Sequence, residues 1–160
     1  MSDIIQLLEE MRASSGDAVT IGLPNNVILD FAKRDSNIVK AIEEGHSKQS
    51  EFNSEHLMMH ETDLISHLQE DFVNFYSPAT VNPYVAISAR GPWVVTSHGA
   101  VLHDNGGYGM LGGGHGPSEI IDVMSENHVM ANVMTASFSQ ARLAKALKKE
   151  LCLLYTSDAA

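Results

Sequence analysis

The apolar residues of this chain change period once, and that change constrains the fold more than any other feature. Before it, Ile4, Ile5, Leu7, Leu8 and Met11 recur at the spacing of an amphipathic helix, which Ser14-Ser15-Gly16-Asp17 ends. Leu23-Pro24-Asn25-Asn26 reads as a turn or a second helix start. Val27, Leu29 and Phe31 predict a helix from Val27 to about Glu44. Leu57, Met58, Leu64, Ile65, Leu68 and Phe72 predict another from Ser54 to about Phe75. Residues 1–76 are therefore expected to form a helical N-terminal region. Ser77-Pro78-Ala79-Thr80-Val81-Asn82-Pro83 then disfavours helix on both sides, so 77–89 reads as a linker.

Beyond Pro92 the period is that of strands. Trp93-Val94-Val95-Thr96 and Ala100-Val101-Leu102 are short β-type runs joined by Ser97-His98-Gly99, the signature of a hairpin in which Gly99 supplies a positive φ. Asp104-Asn105-Gly106-Gly107 closes the second strand, and a glycine-rich loop runs to Gly116. Pro117 presets the first turn of a helix expected to reach about Asn127, with Glu119 at the positive end of its dipole. A second helix is expected from Ser137, whose hydroxyl caps the backbone while Gln140 reaches back. Helices flanking a small hairpin make the chain α+β.

Charge excludes some partners. The 160 residues carry a formal net charge of −10, which repels phosphate-rich surfaces and argues against nucleic acid and anionic membrane. Residues 1–80 hold 14 acids against 5 bases and residues 81–160 hold 6 against 5, so the acidity belongs to the helical half. Apolar residues run all through that half, and it reads as a solvated helical surface. No stretch approaches the roughly 20 apolar residues of a membrane span, and the first residues lack a signal-peptide pattern, so a cytoplasmic protein is expected. The single cysteine, Cys152, allows no internal disulfide or thiolate metal cluster.

Gly107 to Gly112 matches GxGxxG and follows a strand, but no helix starts inside it and the strand is half of a hairpin. No Gly-Lys-Ser or Gly-Lys-Thr exists for a P-loop. His56 and His60 share a helix face near Glu61 and His67, yet the order His-Glu-x-x-His is absent, and no metal is expected.

Residues 89–104, ARGPWVVTSHGAVLHD, followed by the glycine-rich run 106–117, GGYGMLGGGHGP, resemble the opening hairpin and loop of class III, fold-type I pyridoxal-phosphate-dependent aminotransferases. Tyr108, Gly114-His115 and Pro117 fall in the family's order. In one departure Gly116 alone separates His115 from Pro117, where family members often carry a second histidine directly before the proline. The resemblance covers residues 90–151 and implies the N-terminal part of an α/β aminotransferase domain. It implies that Tyr108 and Gly109 border the substrate pocket, while Gly114, His115 and Pro117 shape the loop. The implied parent passes an amino group from an amino donor through pyridoxal 5'-phosphate to a 2-oxo acid, as a homodimer.

The same resemblance implies that this stretch is silent by itself. The Schiff-base lysine and the phosphate-binding segment would lie past Leu151, and Lys145, Lys148 and Lys149 read as solvated charges on a helix. Residues 152–160, CLLYTSDAA, resemble the translation of a sequencing adapter and are set apart from the fold. The family also contains racemases, decarboxylases and aminomutases. From another class, the acidic helices of residues 1–76 could form an interaction module joined to a truncated, non-catalytic neighbour.

Overall fold

The computed structural model describes residues 3–71, 84–105, 113–127 and 135–150. The chain forms two compact units, Met1–Met124 and Ser125–Ala160. Among the described residues of the first, five helices precede a three-stranded sheet: α1 (Asp3–Ala13), α2 (Asn25–Ala32), α3 (Ser36–Gln49), α4 (Ser54–Leu57), α5 (Glu61–Leu68), then β1 (Ala86–Arg90), β2 (Trp93–Thr96) and β3 (Val101–His103). Two further helices are α6 (Ser118–Ser125) and α7 (Phe138–Glu150). The mixed helix-and-sheet composition expected from the change of period is present.

The expected hairpin is β2 against β3, antiparallel, with Trp93 opposite His103 and Val95 opposite Val101. Gly99 turns it at φ +71°, where a side chain would strain the backbone. The sheet has a third member that the period did not reveal. Ala86–Arg90 lies inside the stretch read as a linker and inside the start of the resembling segment, yet it pairs antiparallel with β2 and carries a bulge between Ala86 and Ser88. Its sequence, AISAR, has only one large apolar side chain, so nothing in it alternates.

Two of the expected long helices are broken. The stretch from Val27 to Glu44 divides at residues 33–35, because Asp35 leaves helical geometry at φ −133° and ψ 108° and accepts from the Asn37 backbone N–H at 2.9 Å, capping α3. The stretch from Ser54 divides before His60, whose ring accepts from the Thr62 N–H at 3.3 Å and caps α5.

One core serves helices and sheet together. Ile4, Leu8 and Met11 of α1, Ile28 of α2 and Ile38, Ala41 and Ile42 of α3 pack with Trp93, Val95 and Val101. Each fully buried Val, Leu, Ile or Met among them contributes about 1.5–3 kcal/mol. Helix α3 lies directly on β1 and β2 because Gly45 has no side chain: a Cβ there would stand 2.8 Å from Ser88 Oγ and 3.2 Å from Val95 Cγ1. Helices α1, α2 and α3 and the hairpin thus share an interior.

Helices α6 and α7 bury no residue. Ser137 Oγ accepts the Gln140 N–H at 3.2 Å, the cap expected for α7. Ile121, Met124 and Phe138 are 51%, 74% and 91% exposed. Among the described residues no helix is long and apolar enough to cross a membrane.

Candidate functional site

The residues flanking the glycine-rich segment form a clamp. Gly91 and His115 exchange both backbone hydrogen bonds, Gly91 N to His115 O at 2.9 Å and His115 N to Gly91 O at 2.8 Å. The His115 ring adds a side-chain tie, with Nε2 2.9 Å from Asp104 Oδ2, and Asp104 N donates to Pro92 O at 2.7 Å. The chain therefore leaves the sheet at Asp104 and returns to it at His115, two residues held against each other. Gly114 sits at φ +73°, and a Cβ on it would lie 2.9 Å from three backbone atoms of Gly91, so only glycine permits this approach. Tyr108 and Gly109, the expected pocket residues, lie outside the described residues.

Pro117 follows the clamp and its carbonyl accepts from Ile120 and Ile121, which starts α6. Arg90, on the strand before the clamp, holds it from the side. Its Nη1 lies 3.4 Å from Gly116 O, and its Nε donates to Glu44 Oε2 at 2.8 Å. Lys48 binds the other oxygen of Glu44 at 2.6 Å. The Lys48 hydrogen bond chiefly holds the Glu44 carboxyl below its ordinary range; partial burial opposes this and Arg90 reinforces it. An open cleft of about 640 Å³ runs here, lined by Asn37, Lys40, Glu43, Glu44, Arg90, Gly116 and Ser118.

The described residues do not fit pyridoxal phosphate. That cofactor needs a lysine for the Schiff base, an acid at the pyridine nitrogen and donors for its phosphate. Lys33, Lys40, Lys145, Lys148 and Lys149 are exposed, and Lys48 is committed to Glu44. The cleft that Lys40 lines offers no apolar or aromatic side chain to sandwich a ring.

The histidines weighed for a metal take separate roles. His56 and His67 stack at 4.6 Å between ring centroids, tilted by 52°, while His60 caps α5. Among the described residues no three His, Cys, Asp or Glu side chains gather as a metal would require.

Three buried polar residues, Glu61, Ser97 and His98, take roles that no motif encodes. Glu61, fully buried, accepts the backbone N–H groups of Val19 and Thr20 on Oε2, at 2.8 and 2.7 Å. Ser97 and His98, read from the sequence only as turn residues, are buried together at the end of β2. A serine beside a histidine in a turn has no sequence signature; the pairing depends on what covers the turn. No family model, curated protein or solved structure matches the chain.

Proposed function

We propose that this chain is the N-terminal part of a class III pyridoxal-phosphate-dependent aminotransferase, moving an amino group from an amino donor to a 2-oxo acid as a homodimer. What supports the reading is the order of parts: a hairpin, a glycine-rich segment clamped at its two stems, and a helix opened by Pro117. The observation that carries it is the joining of Asp104, Gly91 and His115 at one point, where the two stems of the glycine-rich segment meet.

In this role the chain supplies positioning and no chemistry of its own. Tyr108 and Gly109 would border the substrate; His115 and Gly114 would hold the base of that segment. The cofactor supplies the electron sink for amino transfer when it is bound, and the lysine and phosphate donors that hold it belong to another part of the protein. The alternative of an independent acidic module in residues 1–76 has less support, because Ile4, Leu8 and Ile38 share their core with Trp93 and Val95.

The test is to recover the reading frame beyond Leu151 from source DNA and express the whole protein with pyridoxal phosphate. Amino transfer to a 2-oxo acid, with an aldimine band formed on a downstream lysine, is expected. The 160-residue chain alone should give neither. A frame without a lysine-bearing α/β domain, or an aldimine on a lysine within residues 3–150, would overturn the reading.

A further inference from the structure

Ser97 and His98 form a hydrogen-bonded pair that the aminotransferase reading does not use. The turn holds both rigidly: Ser97 N donates to Val85 O at 2.9 Å, and Gln49 Nε2 donates to Ser97 O at 2.8 Å. Ser97 Oγ lies 3.0 Å from His98 Nδ1, and His98 Nε2 lies 3.1 Å from Met59 O. A carbonyl oxygen only accepts, so Nε2 carries a proton. In the neutral ring Nδ1 then holds the lone pair, and the Ser97 hydroxyl donates to it. A hydroxyl, a base within reach and a third group orienting the base are the parts of an activated serine.

The pair also has a place for a substrate. Ser97 lines a partly enclosed cavity of about 230 Å³ between α4, α5 and β1, whose other walls include Leu57, Leu64, Leu68, Val85 and Ile87. Apart from His56 at the wall, the side chains around Ser97 are apolar, so a short apolar chain fits them.

We propose that Ser97 is a nucleophile, activated by His98, that accepts the acyl group of small esters whose short apolar acyl chain occupies this cavity. The Ser97 Oγ bonds to the ester carbonyl carbon as its proton passes to His98 Nδ1. Collapse of the tetrahedral adduct breaks the bond to the alkoxy oxygen, and the alcohol leaves with the proton from Nδ1. Water then attacks the acyl-serine by the same exchange, releasing the carboxylic acid and restoring the hydroxyl. Throughout, the Nε2–H bond to Met59 O fixes the ring and steadies the imidazolium. This activity uses neither the cofactor nor a lysine, and it stands or falls apart from the aminotransferase reading.

The test treats the 160-residue chain with a fluorophosphonate probe and reads the adduct by intact mass and peptide mapping. One adduct, on Ser97, is expected. It should be absent in Ser97→Ala and should form about 100-fold or more slowly in His98→Gln, the size of a general-base contribution. An excess of p-nitrophenyl butyrate should protect Ser97 from the probe and release nitrophenol. No adduct on Ser97, an adduct on another serine instead, or wild-type labelling in a folded His98→Gln chain would overturn the proposal. Should His98→Gln lose its far-ultraviolet spectrum, the wild-type chain decides alone: labelling of Ser97 undiminished by the ester overturns the proposal, and protection upholds it.

Discussion

The indole Nε1 of Trp93 donates to Asp35 Oδ2 at 2.7 Å, joining the hairpin to the helix cap 58 residues before it. Asp35 spends its other oxygen on the Asn37 N–H, so one carboxylate both starts α3 and fixes the largest core side chain. The ring of Trp93 is bracketed by Phe31 at 4.9 Å and His103 at 4.8 Å. Local capping and the tertiary core therefore meet in a single residue.

Asp35 makes stability depend on acid. Desolvation raises its pKa, but the hydrogen bonds from Trp93 and Asn37 outweigh that and hold it below the ordinary value of 3.8. With the folded pKa below the unfolded one, the contribution is complete above the unfolded value and disappears as pH falls through the folded value. Asp35→Asn keeps a capping oxygen and should flatten the acid limb of stability. Asp35→Ala should cost about 1–2 kcal/mol at neutral pH, the usual cost of a lost cap. Urea midpoints across the acid range check both; an unchanged acid limb in Asp35→Asn would refute the assignment.

Gly114→Ala should loosen the clamp. Its φ of +73° costs an L-residue roughly 1–2 kcal/mol, and the added Cβ meets Gly91 backbone at 2.9 Å, which cannot yield without breaking the Gly91–His115 pair. Amide exchange at Gly91 and His115 should quicken in the variant, while Val95 and Val101 keep their protection. Unchanged exchange at Gly91 would show that the two strands of the clamp are not coupled as described.

How much was legible in the sequence follows from where each signal resides. The hairpin was readable because Trp93 to Thr96 and Ala100 to Leu102 are β-type runs around a glycine that the turn needs. Strand β1 was not, because its membership is decided by β2 beside it and Gly45 above it, not by its own residues. The break between α2 and α3 was hidden by apolar spacing that runs straight through it; Asp35 breaks it by bonding to Asn37 and Trp93. At the site, the loop-forming residues Gly114, His115 and Pro117 stood out by type, but the partners of His115, Asp104 and Gly91, come from chain separations that no local pattern encodes. The Ser97–His98 pair needed the Met59 carbonyl, 39 residues away, to acquire its orientation.

Glu61 should prove a structural staple for residues 16–20. Besides accepting from Val19 and Thr20, its own N–H donates to Asp17 O at 2.9 Å, so three hydrogen bonds tie the segment after α1 to α5. Glu61→Ala leaves two backbone donors without their acceptor, at about 1–3 kcal/mol for each group that stays buried. Glu61→Gln keeps an oxygen in place and should cost less, especially as Oε1 has no partner to lose. Denaturant midpoints of the two variants decide: equal losses would mean that the acceptor oxygen contributes nothing.

The exposed faces of α6 and α7 should make the isolated chain associate. On α6, Ile121, Val123 and Met124 project from a helix that buries nothing, with Glu119 and Asp122 off the apolar arc. On α7, Phe138, Leu143 and Leu147 are likewise exposed. Each large apolar side chain left in water forgoes about 1.5–3 kcal/mol of burial, and contiguous patches of this kind recruit partners. The 160-residue chain should therefore bind a hydrophobic dye and sediment above its monomer mass. Ile121→Glu with Met124→Glu should reduce dye binding without moving the unfolding midpoint, since neither side chain touches the core around Trp93. Phe138→Glu probes the second helix separately. A compact monomer by sedimentation, dark to the dye, would mean that these faces are covered in solution.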